Sequence, residues 1–334
     1  MRIQSLLLLL ALTPPCLRAG TIATSQDADT GWKIYTLRQG ETQVRVVPDA
    51  GANGYSIEHQ GIEYLRVPED LARLRGVWFG NPILYPMPNR VRGAKFTFAG
   101  KAYEFPANGR GNFIHGLVHS ESFEVVATAT DEDSAQLTCA LRFQPGGRPY
   151  KLFPWRHVFR VTIRVEDGSV RWTYEVDNQE DERDLPFGVA LHPYFVYQKS
   201  RAQTFLQVPA THLMESTGQL PSGRLLDLDG QALDARQPRS LEDYNADDVF
   251  FGMRPDQPAR VAFRDVERSI SFGASPEFTH LVVYTPDRPF FCIENQTCST
   301  DAHNLAAEGK RDVAHLQICS PGVVKSGFVE YRIK

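Results

Sequence analysis

The sequence has no excess of positive charge. Its 334 residues carry 36 Lys and Arg against 40 Asp and Glu, a net charge of −4. A chain without surplus cations gains little from releasing counterions on a phosphate backbone or at an anionic bilayer. Nucleic acid and membrane surfaces are therefore not expected partners, and a small neutral substrate fits better. The sequence also lacks a glycine-rich phosphate loop, a Gly-x-Ser-x-Gly elbow and a His-Glu-x-x-His helix. The nearest metal-like spacing is His115-Gly-Leu-Val-His119. Gly116 inside it and strand-like surroundings argue against a helix that would align two imidazoles, so neither metal nor cofactor is expected. Helical periodicity is scarce, no Gly/Ser/Pro-rich linker divides the chain, and no internal repeat is visible.

What is present is ordinary globular composition, 42 % hydrophobic and 23 % charged, which predicts a buried core. The first twenty residues stand apart. Arg2 precedes an apolar run from Leu6 to Leu12, broken by Pro14 and Pro15 and followed by Ala19 and Gly20. That run is too short to span a bilayer but suits a signal peptide over residues 1–20, with export to the periplasm or the medium. Its removal would take away Arg2 and Arg18 and no acid, leaving a net charge of −6. Cys139, Cys292, Cys298 and Cys319 would remain, with two disulfides or four buried thiols both open. Asn295-Gln296-Thr297 reads as a glycosylation sequon whose occupancy is not expected beside Glu294.

The dominant signal is alternation of apolar and polar residues, the mark of half-buried strands. Val161, Ile163 and Val165 alternate with Thr162 and Arg164. Glu166-Asp167-Gly168-Ser169 then turns the chain, and Val170, Trp172, Tyr174 and Val176 return it. The same grammar places strands at Phe123–Ala127 and Leu137–Phe143, and around Val44, Phe96, Ile270 and Leu281–Tyr284. Short helices are predicted over Pro68–Arg75 and Ala302–Glu308, and Gln144–Pro154 reads as a surface excursion. With 25 Gly and 22 Pro spread along the chain, the fold class is all-β. Two large antiparallel sheets are expected to pack face to face in one domain over residues 25–334.

Several polar residues sit in unusual local sequence. Asn81 to Arg90 is a proline-stiffened segment that ends in a guanidinium, a good way to present a side chain at a fixed place. Asn112-Phe-Ile-His115-Gly116 sets an imidazole beside a residue that permits close approach. Gly188, Ala190 and His192 share one face of a strand, and small residues there predict open space before the imidazole. Phe290, Cys292 and Glu294 share another face, placing a carboxylate at the end of an apolar run. Asp247 and Asp248 lie in an acidic stretch that otherwise reads as solvated surface.

Five fragments in order carry a family resemblance: Pro88-Asn89-Arg90, Asn112-x-x-His115-Gly116-Leu117, His192-Pro193-Tyr194-Phe195, Asp247-Asp248-Val249-Phe250, and Glu294 followed by Asn304-Leu305. Through them most of the chain resembles the aldose 1-epimerase, or galactose mutarotase, family. The resemblance implies a sandwich of large curved β-sheets and the exchange of α and β anomers of a free sugar. It implies Glu294 as general base and His192 as general acid, with Asn89, Arg90, His115 and Asp247 binding sugar hydroxyls. It implies the acid and base on opposite sides of the sugar. Two departures stand out: Asn295 replaces the usual Pro after the catalytic Glu, and Tyr85-Pro-Met replaces a usual Phe-Pro-Trp. The second is expected to remove an aromatic near the pocket and to bear on sugar preference. Arg90, Arg92 and Arg110 keep a hexose 6-phosphate substrate open, and a non-catalytic sugar-binding sandwich or a lyase or glycosidase accessory domain is a further alternative. A monomer or homodimer is expected.

Overall fold

The computed structural model describes residues 19–334, so the expected leader over residues 1–20 lies almost wholly outside the described residues. No helix among the described residues is long and apolar enough to cross a membrane.

Three antiparallel sheets make up most of the described chain. The largest has nine strands and is centred on the expected hairpin. His157–Glu166 pairs with Ser169–Asp177 in the register that sets Glu166 opposite Ser169. Ser169–Asp177 pairs in turn with the C-terminal strand Val324–Ile333. The alternating residues Val161, Ile163, Val165, Val170, Trp172, Tyr174 and Val176 are all buried. Each apolar side chain so buried contributes about 2 kcal/mol, so register is fixed by which face meets the core. A smaller eight-stranded sheet runs from Leu220–Asp227 through His212–Thr217, Asp247–Phe251, His280–Tyr284 and Phe290–Gln296 to Ala190–Leu191 and Ile83–Leu84, with Phe195–Val196 also paired to Phe290–Gln296. Its inward residues Phe250, Leu281, Val283, Phe291 and Ile293 share one core with the nine-stranded sheet. A five-stranded sheet over Thr21–Glu63 packs against the far end of that larger sheet.

The all-β sandwich expectation thus holds, as do the short helical pieces at Leu71–Arg75 and Ala302–Ala307. Two local expectations need correction. Alternation through Val125 and Ala127 is broken by a bulge that leaves Val126 44 % exposed, because this edge strand has one partner and little core to face. The stretch from Gln144 to Pro154 is not wholly a surface excursion. It contains a helical turn at Arg148–Leu152 and buries Phe153 against Trp155 and Phe143. All four cysteines among the described residues are free and buried. Asn295 is buried inside a strand opposite Leu281, which closes the sequon to a glycan.

Candidate active site

Strand register builds the floor of the site. Glu294 lies directly opposite Val282, and Tyr284 opposite both Cys292 and Asp247. Directly opposed residues share a face, so Asp247, Val282, Tyr284, Cys292 and Glu294 all project from the side of the sheet that Leu281, Val283 and Ile293 leave to the core. The strand carrying Glu294 does not end there; it continues to Gln296, and every residue in it is buried. The Gln296 amide Nε2 donates to Glu294 Oε2 at 3.3 Å.

A second group of residues approaches from the facing loops. Arg90–Val91 pairs with Phe113–Ile114, which sets Arg90 opposite Ile114 and His115 just beyond it. The His115 N–H donates to the Asn89 carbonyl at 2.7 Å, and Arg90 Nη1 donates to Asn89 Oδ1 at 2.8 Å. Asn89 and His115 hold left-handed backbones, with φ of 55° and 70°. Strained conformations of this kind persist where surrounding structure fixes them, and they cluster at working sites. Gly116 is obligatory here, since a Cβ on it would fall 2.4 Å from the Tyr85 carbonyl oxygen. The close approach anticipated at this glycine is therefore real.

His192 lies beneath both groups. Its Nε2 is 3.3 Å from Glu294 Oε1, with both side chains almost wholly removed from solvent. Its ring stacks on Tyr194 at 4.7 Å and 7°, and meets the His115 ring edge-on at 5.1 Å. Burial raises the Glu294 carboxyl well above the ordinary range, helped by the neighbouring Asp247. Burial also drives the imidazoles of His192 and His115 below their ordinary value. Burial thus favours the neutral form of each partner, with His192 Nε2 and Glu294 Oε1 already in contact. Burial raises Asp247 too, against the opposing pull of Arg90. The Cys292 thiol sits within 4.8 Å of His192 and Glu294. Burial, then the carboxylates of Glu294 and Asp247, hold it well above the usual thiol range, so it stays a neutral packing group rather than a thiolate ligand.

These side chains line one cavity of about 360 Å³. It brings together all six residues singled out from the sequence: Asn89, Arg90, His115, His192, Asp247 and Glu294. Asp248 does not line it, and instead accepts the Asp247 N–H at 3.0 Å. Three expectations are corrected. The acid and base candidates do not face each other across a gap wide enough for a sugar; they stand side by side. The face expected to run from Gly188 to His192 is not one strand: Leu185–Phe187 pairs with Gln317–Cys319, while Ala190–Leu191 and Phe195–Val196 both pair with Phe290–Gln296, and Gly188 opens no space. A Cβ there would lie 2.3 Å from Cys298 Sγ and 2.9 Å from Pro88 Cδ. Finally, Tyr85 and Met87 are buried in the main core and line no part of the cavity, so the departure at these positions removes nothing from its wall. Tyr85 instead stacks on Phe159 at 4.1 Å and bonds His157 Nε2 at 2.7 Å.

Comparison with known proteins identifies the family. The model of the family described as aldose 1-epimerase matches residues 33–332. The chain belongs to the aldose 1-epimerase family. It is 25 % identical over 236 residues to the Escherichia coli protein YphB, which is uncharacterized; the match covers 68 % of this chain and 76 % of that protein. Its fold is similar to a galactose mutarotase-like protein from Clostridium acetobutylicum, with a TM-score of 0.83 at 21 % identity over 95 % of this chain and 99 % of that one. It is also similar to galactose 1-epimerase from Lactobacillus acidophilus, with a TM-score of 0.75 at 15 % identity over 94 % and 98 % of the two chains.

In this aldose 1-epimerase family member the cavity wall includes residues that sequence reasoning passed over: Trp78, Tyr194, Gln219, Val282 and Tyr284. Tyr284 had a signal, because it alternates with Leu281 and Val283 and so must face away from the core. Trp78 is 53 % exposed at the cavity edge, its ring 6.1 Å from Tyr194. Of the three arginines that a phosphate would need, Arg92 is turned away. It is tied to Asp301 at 3.3 Å and hydrogen-bonded to Glu308.

Proposed function

We propose that the protein is a mutarotase, converting the α and β anomers of a free aldose such as glucose or galactose. The observation that carries this reading is the buried contact of 3.3 Å between His192 Nε2 and Glu294 Oε1 on the floor of a polar cavity. Exchange needs one proton to leave the anomeric hydroxyl and another to reach the ring oxygen. Both oxygens are bonded to C1, so an adjacent acid and base reach them together more readily than a pair set on opposite sides.

Glu294 acts as carboxylate and takes the O1 proton, while His192 as imidazolium gives its proton to O5. The C1–O5 bond breaks and C1=O1 forms. After rotation about C1–C2, O5 adds to the other carbonyl face. His192 then recovers the O5 proton and Glu294 returns its own to O1. The pair begins and ends with the same single proton. Burial and the neighbouring Asp247 raise the Glu294 carboxyl, and the Gln296 amide and the Arg90 cation are the opposing pull toward the carboxylate form that the first step uses. Arg90, His115, Asn89 and Asp247 hold the sugar hydroxyls, with Trp78, Tyr194 and Tyr284 offering aromatic surface to the C–H faces of the ring. The apolar N-terminal run supports an exported enzyme acting outside the cytoplasm.

Polarimetry of freshly dissolved α-D-glucose and α-D-galactose tests the reading. The protein should hasten approach to the same final rotation. Glu294→Gln should lower the rate at least about a thousandfold, the upper range for a lost acid–base group. Wild-type-like exchange by Glu294→Gln would refute the assignment of the base.

A further inference from the structure

We propose that Gln219 is a positioning residue that fixes the Asp247 carboxylate for a sugar hydroxyl, and so sets substrate affinity. This rests on the mutarotase reading above. Strands His212–Thr217 and Leu220–Asp227 are joined by the two-residue turn Gly218–Gln219, with Thr217 opposite Leu220. Both turn residues have positive φ, +58° at Gly218 and +67° at Gln219. Tight hairpin turns of this hand favour glycine at the second position, because a Cβ is strained there. This chain places a long amide side chain in that conformation instead. Nothing about closing the turn calls for it.

The strain has an evident return in the site. The hairpin borders the Asp247–Phe251 strand, pairing His212 with Phe251 and Leu213 with Phe250. Its tip therefore lies over the first residue of that strand. From there Gln219 Nε2 donates to Asp247 Oδ2, and Gln219 itself forms part of the cavity wall. Among the described residues no other side chain hydrogen-bonds the Asp247 carboxylate; Arg90 acts on it as a nearby charge. Gln219 thus occupies one carboxylate oxygen and holds the other toward the cavity, where it accepts from the sugar. Without the amide, the carboxylate must give up rotamer freedom each time a sugar binds.

The experiment compares wild type, Gln219→Gly and Gln219→Ala in steady-state anomer exchange, together with thermal melting. Expected for both variants are a KM raised about tenfold, as for loss of a hydrogen bond to a charged group, and a kcat within about twofold of wild type. Gln219→Gly should also melt no lower than wild type, and about 1–2 °C higher if the strain is fully relieved. A merely structural residue would move melting and activity in the same direction. In an Asp247→Ala background, Gln219→Gly should raise KM no further, since the amide acts through the carboxylate. With wild type active, an unchanged or lowered KM in Gln219→Gly would overturn the proposal alone, as would an undiminished effect in the Asp247→Ala background. Absence of exchange by wild type would overturn the mutarotase reading and this one with it.

Discussion

Asp301 and Arg90 are joined backbone to backbone, the Asp301 N–H donating to the Arg90 carbonyl at 2.8 Å. The carboxylate of Asp301 then reaches past Arg90, its Oδ1 accepting the Arg92 N–H at 2.9 Å and an amide proton of Asn304. One buried residue therefore grips the chain at two points just after the residue that carries the cavity-facing guanidinium. Asp301 itself is held at φ +58°, a conformation that Asn also tolerates.

Asp301→Ala should accordingly weaken both the fold and the site. Loss of the buried carboxylate strands the Arg92 N–H, while the exposed guanidinium keeps Glu308, for about 1–3 kcal/mol of stability. Released from its clamp, Arg90 should bind sugar less well, raising KM while the chemical step is largely retained. Asp301→Asn keeps the Oδ1 acceptor and the backbone preference, so it should recover most of the affinity. Urea unfolding and exchange kinetics on the two variants check this. Equal KM effects in both would show that the Asp301 side-chain grip on the Arg92 N–H does not set Arg90.

Gly188 supplies a separate test, in packing rather than chemistry. A Cβ at this position meets Cys298 Sγ at 2.3 Å and Pro88 Cδ at 2.9 Å. Gly188→Ala should cost about 1–3 kcal/mol, the range for overpacking a closed core. Cys298→Ala removes the sulfur but leaves a small cavity, so alone it should be mildly destabilising. The double variant should be more stable than the sum of the two single effects predicts, because the new methyl enters the space that the sulfur leaves. Strict additivity in denaturation midpoints would place the strain elsewhere.

The strands were legible because one physical rule governs them. Val161, Trp172 and Tyr174 alternate with polar residues wherever one face is wet and the other is buried. The direction of Glu294 was legible for the same reason, through Phe290 and Cys292 on its face. Its contact with His192 was not, since adjacency of the Ala190–Leu191 and Phe290–Gln296 strands is a matter of sheet order. Gly188 shows the limit most clearly. A small residue near an imidazole suits open space and close packing equally well, and Cys298, far along the chain, decides between them. Gln219 carried only the signal of a turn, which says where the chain reverses and nothing of which carboxylate lies beneath.

Three histidines away from the cavity make stability depend on pH. His157 receives the Tyr85 hydroxyl at Nε2 and contacts the Trp155 carbonyl through Nδ1. His280 is bonded to Val313 and Thr279, and His303 packs on Phe96. Burial lowers His157 and His303 to about 4 and His280 to about 3. Below the ordinary value near 6.5, the unfolded chain binds protons that the folded chain refuses, so stability falls as pH drops. The loss begins near pH 6.5 and continues to the folded-state values, amounting to about 2 kcal/mol per histidine at pH 5. Above pH 7 these groups are neutral in both states and contribute no slope. Urea unfolding between pH 7.5 and 5 should show a steep loss of stability. His157→Gln, though less stable at pH 7.5, should lose about 2 kcal/mol less across the same interval. A wild-type pH dependence reproduced unchanged in that variant would mean that His157 takes up its proton in the folded protein as readily as in the unfolded chain.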